Sequence, residues 1–139
     1  MPQLIVGCDL SRAFIDVCQN AGRAISRIQK TKSGIMEWIE TLDPTAVIVF
    51  EATSGCDSIL MDTLGARHIN YARVNPRQAR EFARALGVLA KPDRVDARVL
   101  AQMGQRLPLT ITTPPKPERR RLADFLRRRR QLVETRKAE

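Results

Sequence analysis

Two short apolar runs, Leu4-Ile5-Val6-Gly7-Cys8-Asp9-Leu10 and Ala46-Val47-Ile48-Val49-Phe50, constrain the fold more than any other feature of the chain. Each is too short for a typical helix and too continuous for a strand with one wet face, so each reads as a strand buried on both sides. Such a sheet needs helices above and below it. The length of 139 residues suits one domain, and with aromatics at 4% the core must be aliphatic.

The rest of the pattern supplies the remaining layers. Phe14 to Gln19 and Arg23 to Gln29 read as strands joined by an Asn20-Ala21-Gly22 hairpin turn, giving three antiparallel strands with the first run. Ser33 is placed to cap a helix whose Ile35, Met36, Trp38, Ile39 and Leu42 recur at helical spacing, and Asp43-Pro44 ends it. Beyond Glu51 come a helix from Asp57 to Leu64 closed by Gly65, a strand from Ile69 to Val74, and a helix from Arg77 to Leu86 before Gly87. A last helix runs from about Asp93 to Met103. The expected fold is α/β, a mixed sheet flanked by helices.

Charge is uneven along the chain. The net charge is +9, and residues 114–139 hold 10 basic and 4 acidic groups. That balance makes polyanions, nucleic acid first, better partners than acidic substrates. Pro114, Pro115 and Pro117 remove backbone donors and forbid a continuous helix. The domain reading is therefore 1–111 for the sheet domain, 112–117 for a proline-rich linker and 118–139 for a basic amphipathic helix. No window is apolar enough for a membrane span and the start lacks a basic leader, so a cytoplasmic location is expected. Cys8, Cys18 and Cys56 show no C-x-x-C spacing and are expected to pack as small apolar side chains.

The acids carry the chemistry. Asp9 and Glu51 each read as the last position of an otherwise apolar strand, and ligands of open α/β sheets gather outside strand carboxyl ends. If those strands are parallel neighbours, the two acids meet; either alone could simply face solvent or cap a turn. Asp93 and Asp96 form a second pair at i and i+3, with Asp96 expected on the helix's apolar side between Leu100 and Met103. Four converging carboxylates repel unless divalent cations fill the gap, and hard cations such as Mg²⁺ or Mn²⁺ choose carboxylate oxygens. Two such ions can activate water and stabilise the leaving oxygen in phosphodiester cleavage, with no histidine required. His68, the single histidine, is expected at a helix-to-strand turn in a structural or solvent-facing role.

At this point the sequence resembles a known family: insertion-sequence transposases with a RuvC-like catalytic domain and a DEDD acidic tetrad, related to the Piv-type DNA invertases. The stretches that carry the resemblance are Val6-Gly7-Cys8-Asp9-Leu10-Ser11, Phe50-Glu51-Ala52-Thr53-Ser54-Gly55, Val74-Asn75-Pro76, Phe82-Ala83-Arg84-Ala85-Leu86-Gly87 and Lys91-Pro92-Asp93-Arg94-Val95-Asp96-Ala97. Each is weak alone, but they follow in family order over about 100 residues. The resemblance implies a ribonuclease H-like (RuvC-like) sheet, a DNA recombinase activity, and Asp9, Glu51, Asp93 and Asp96 as catalytic, metal-binding acids. Pro92 departs from the threonine usual in the family. Family members continue into a second domain that supplies a catalytic serine; nothing in these residues corresponds to it, so the chain resembles an N-terminal fragment. The resemblance also implies a structured guide RNA from the same element as a partner.

Two basic elements are candidates for nucleic-acid binding. Arg77, Arg80 and Arg84 recur on one helix face opposite Ala79, Phe82, Ala83 and Leu86, a stripe that suits phosphates or simply solvent. Past the prolines, Arg119, Arg120, Arg127 and Arg128 flank Leu122, Phe125 and Leu126, so one face could hold a backbone while the other pairs with a second copy as the start of a coiled coil. Two other functions compete. Gly7-Cys8-Asp9-Leu10-Ser11 is similar to the first phosphate loop of actin-like ATPases and sugar kinases, but no second glycine-rich loop follows and the chain is short for two lobes. A non-enzymatic basic adaptor is the third reading.

Overall fold

The computed structural model describes residues 4–19, 24–53, 55–87, 95–114 and 126–129. Five strands, β1 (Ile5–Leu10), β2 (Phe14–Gln19), β3 (Ser26–Gln29), β4 (Val47–Glu51) and β5 (Asn70–Val74), form one sheet in the order β3-β2-β1-β4-β5. β3, β2 and β1 pair antiparallel, whereas β1, β4 and β5 run parallel. The mixed sheet flanked by helices matches the ribonuclease H-like arrangement anticipated from the sequence. The Asn20-Ala21-Gly22 turn lies outside the described residues.

Each face has its own core, because alternate residues of one strand point to opposite sides. Val6, Cys8, Ile15, Val17, Ile48 and Phe50 pack under α1 (Lys32–Glu40) and α2 (Ser58–Ala66) with Ile35, Trp38, Ile39, Leu60 and Leu64. On the other face Ile5, Val47, Val49, Ala72 and Val74 meet α3 (Pro76–Ala85) and α4 (Ala97–Arg106) through Ala79, Val99, Leu100 and Met103. Both apolar runs are thus covered twice, as their composition requires. Cys8 and Cys18 are buried and none of the three cysteines is in a disulfide.

Three helix boundaries differ from the sequence expectation. Thr31, not Ser33, caps α1: its hydroxyl accepts from the Gly34 N–H at 3.0 Å, and Ser33 falls inside the first turn. Gly65 does not stop α2 but lies buried within it; His68 takes the left-handed position with φ 58°. The His68 N–H donates to Gly65 O, and the Ile69 N–H reaches back to Leu64 O at 3.0 Å, a Schellman-type ending that gives the exposed histidine a backbone role. The third difference concerns α4, which begins at Ala97 rather than near Asp93. Asp96 is its cap and stands before the helix, not on its apolar face.

Two contacts position the acid-bearing strand ends. α4 lies directly on β1 because Gly7 has no side chain: a Cβ there would overlap the Ala97 carbonyl and come within 2.5 Å of the Ala101 nitrogen. Further along, Gly104 sits equally close to Ile5 and Val49, so α4 crosses the sheet with its N-terminus toward Asp9. The loop after β4 is held by Asp57, buried at the start of α2, which accepts from Arg73 Nε at 2.6 Å and from the Thr53 N–H at 3.4 Å. At the other edge Thr112 pairs with Tyr71 of β5 in an isolated antiparallel bridge. Among the described residues no helix is long and apolar enough to cross a membrane.

Gly7→Ala is expected to push α4 off β1 and cost about 2–3 kcal/mol, roughly a 10 °C lower melting temperature by calorimetry. Asp57→Ala removes the acceptor of Arg73 and Thr53 and should cost about 2 kcal/mol. In that variant hydrogen exchange at the Thr53 amide accelerates; an unchanged rate would mean that Asp57 does not hold the loop.

Candidate metal centre

The parallel register decides where the acids meet. Ile5 pairs with Val47 and the ladder runs to Cys8 opposite Phe50. One step further stand Asp9 and Glu51, on the same sheet face as Gly7 and Val49, beneath the N-terminal end of α4. Both are half-buried and line one polar cavity of about 360 Å³ with Cys8, Leu10, Ser11, Thr53 and Val95. The donors around it are hard oxygens: two carboxylates and the hydroxyls of Ser11 and Thr53. Ser11 donates its hydroxyl to Phe14 O at 2.9 Å, and Thr53 donates to the Glu51 carbonyl at 3.2 Å, so each also fixes the turn that leaves its strand.

Electrostatics make this pair a place where positive charge is wanted. Burial pushes the Glu51 carboxyl above its ordinary value, Arg80 of α3 opposes that shift, and the neighbouring Asp9 adds to it. The positive end of the α4 backbone dipole faces the same region. An oxygen-only donor set with two carboxylates fits Mg²⁺, which is commonly bound through one or two carboxylates with water completing its shell.

The other two sequence-assigned acids stand differently. Asp96 Oδ1 accepts from the Val99 N–H at 3.1 Å, its Oδ2 lies 4.0 Å from Arg98, and its side chain is 43% exposed. It adjoins Val95, which lines the cavity, but its first task is to cap α4. Asp93 lies outside the described residues. Among the described residues, no three His, Cys, Asp or Glu side chains are grouped closely enough to hold an ion.

Sequence reasoning overlooked four charged groups. Asp16 is the cross-strand partner of Asp9 on β2, and its charge is met by Arg27 at 2.9 Å, whose guanidinium also lies over the Phe14 ring. Asp57 and Arg73 form the pair that anchors the loop beyond Glu51. The spacing of these residues in the chain carries no signal of their pairing, which depends on strand register and on the return of β5 beside β4.

On α3, the arginines divide. Arg77 is exposed and paired with Glu81 at 3.4 Å, Arg84 is exposed, and Arg80 is half-buried. Ala79 is buried and Phe82, Ala83 and Leu86 pack beside it, so the helix does present the anticipated apolar side to the sheet. Of the basic C-terminal segment only 126–129 are described; they are helical and exposed, with Arg127 and Arg128 among them. Arg119 and Arg120 lie outside the described residues. A larger groove between α1 and α2, about 440 Å³, is mostly apolar and lies on the opposite face from the acids.

No curated protein matches the chain. A family described as transposase, the DEDD type of the IS110 group, matches residues 6–139, which include all but the start of the first apolar strand, the whole of the second, all four candidate acids and the basic segment. The chain therefore belongs to the IS110-type DEDD transposase family, and its role is that of a DNA transposase domain.

Proposed function

We propose that this chain is the metal-dependent catalytic domain of its transposase, cleaving DNA phosphodiesters for strand transfer in the movement of a mobile element. The observation that carries this reading is the meeting of Asp9 and Glu51 from neighbouring parallel strands in one polar cavity. Asp9 and Glu51 would hold Mg²⁺ or Mn²⁺, with Asp93 and Asp96 completing the acidic set. Bound there, the ion supplies Lewis-acid stabilisation of charge on phosphate oxygens and lowers the pKa of coordinated water.

The chain's own residues prepare the site. Ser11 and Thr53 fix the turns at the two strand ends, and Gly7 lets α4 sit close enough to bring Val95 over the cavity. Arg77 and Arg84, exposed on α3, are proposed to hold the nucleic-acid backbone beside the acids, with Arg80 between them and Arg119, Arg120, Arg127 and Arg128 extending the basic surface. Such contacts give attraction without sequence preference. Partner choice is assigned to a structured guide RNA of the same element, and self-association to the 118–139 segment. Strand transfer draws on the serine that the family resemblance places in a second domain, so cation uptake and DNA binding are the activities to measure first.

Isothermal titration of the full chain with Mn²⁺ is expected to show saturable uptake that is lost in Asp9→Asn and in Glu51→Gln. Because burial and Asp9 both disfavour the charged Glu51, the Glu51→Gln protein should melt no lower than wild type. Equal heats in wild type and both variants would reject the metal centre, and retained DNA binding in that case would favour an adaptor. Binding to duplex DNA across a salt series should weaken for Arg77→Gln/Arg84→Gln, with the slope of log affinity against log salt falling by about 2.

A further inference from the structure

The row of charged groups does not stop at Asp9. Asp9 stands opposite Asp16 in the β1–β2 ladder and Asp16 opposite Arg27 in the β2–β3 ladder, so Glu51, Asp9, Asp16 and Arg27 follow one another across one face of the sheet. On that face β1, β4 and β5 lie under α3 and α4, whereas among the described residues none from β2 or β3 enters the core there. Phe14, two residues before Asp16, shares the face and is 40% exposed, and no other aromatic ring among the described residues is so open. Arg27 is fastened between the two: its Nε donates to Asp16 Oδ1 at 2.9 Å, its Nη2 to Oδ2 at 3.4 Å, and the guanidinium carbon lies 5.1 Å from the centre of the Phe14 ring. The arginine side chain is still 62% exposed, and a guanidinium carries five N–H groups, so donors remain beyond these two bonds. A pair this exposed contributes little to folding. Its effect is to hold a flat cation over an open ring, two strand spacings or about 10 Å from Asp9. Arg12 lies exposed in the β1–β2 turn and the Lys30 N–H bonds to Ala13 O of the same turn, so with Asp16 paired the local charge is positive.

We propose that Phe14 and Arg27 form a stacking platform for one unpaired nucleotide of a DNA strand that runs from the Asp9–Glu51 centre over β2 and β3. The base lies on the exposed ring and guanidinium plane, and the remaining N–H groups of Arg27 meet phosphate oxygens. A flat base on an anionic backbone uses both parts of the platform, whereas an acidic peptide would use the charge and leave the ring idle. Asp16 is a positioning residue: it sets the plane of Arg27 and touches no substrate. The outer arginines of α3 attract either form of DNA, but the platform selects an unpaired strand, because a duplex keeps its bases within its own stack. The proposal rests on the reading of the acid pair as the place where DNA strands are handled, and it needs no bound metal.

The test titrates the full chain, in EDTA and at fixed salt, into a mixed-sequence single strand carrying 2-aminopurine and into the matching duplex. Phe14→Leu keeps the apolar bulk and removes the ring; it is expected to bind the single strand about fivefold to thirtyfold more weakly and the duplex within about twofold of wild type. Arg27→Lys keeps the charge and loses the flat fork, so its single-strand affinity should fall in the same direction. Asp16→Ala gives a test of sign. Removing a negative charge would by itself tighten DNA binding, so weaker single-strand binding with duplex binding held or raised is the mark of lost positioning. Wild-type single-strand affinity in Phe14→Leu or Arg27→Lys, or an equal loss for both forms of DNA, overturns the platform. Tighter single-strand binding by Asp16→Ala overturns the positioning role. A wild-type chain that binds neither form overturns the platform and the DNA reading together. The expected pattern in a protein that takes up no Mn²⁺ supports the platform and overturns the metal centre alone.

Discussion

Two carboxylates at the ends of neighbouring parallel strands repel each other, and the architecture around them is arranged so that this repulsion survives folding. The cost is modest because both groups are half-buried and keep contact with water. It is also locally offset, by Arg80 and by the N-terminal end of α4. The stability that permits it comes from elsewhere: β1 and β4 are covered on both faces by aliphatic side chains, so their register is fixed by burial before any charge is considered. A one-residue slip would carry Val6, Cys8, Ile48 and Phe50 out of one core and place the acids in it.

Gly7 shows how tightly packing and chemistry are joined. Its missing side chain admits the backbone of α4 onto β1, which sets the position of Val95 and Asp96 relative to Asp9. Asp96 spends one carboxylate oxygen on the Val99 N–H, so the start of the helix and the edge of the acidic site are fixed by a single side chain. On the opposite side of the cavity the Asp57–Arg73 pair does corresponding work for the loop that carries Thr53. A helix and a loop, each pinned by a local polar contact, therefore frame a pair of acids supplied by the sheet.

Much of the fold was legible because hydrophobic period and continuity are local properties. Phe14–Gln19 appears as read, and the two apolar runs appear as strands shifted by a single residue at their starts. The boundaries that moved did so where two neighbouring residues could serve the same end. Thr31 and Ser33 both offer a hydroxyl, and only the turn geometry at Gly34 selects Thr31. Gly65 offers a left-handed stop, but its burial in α2 passes that role to His68. The start of α4 was misplaced for a similar reason: Asp93 and Asp96 are both capable caps, and the Val99 N–H chooses the second.

At the site, the Asp9–Glu51 pairing was readable from two strand ends once parallel neighbours were assumed, whereas the cations were not. Arg80 looked equivalent to Arg77 and Arg84 on a helical wheel, and only packing separates it: it is half-buried where they are exposed. Asp16 and Asp57 are ordinary acids in the sequence and acquire their arginine partners through tertiary contact. The most direct test of the central claim is a crystal of the full chain soaked in Mn²⁺ with data collected at the manganese edge. The account predicts an anomalous peak coordinated by Asp9 and Glu51 at the ends of β1 and β4. A fully ordered site without that peak, or with manganese bound only at other carboxylates, would contradict it.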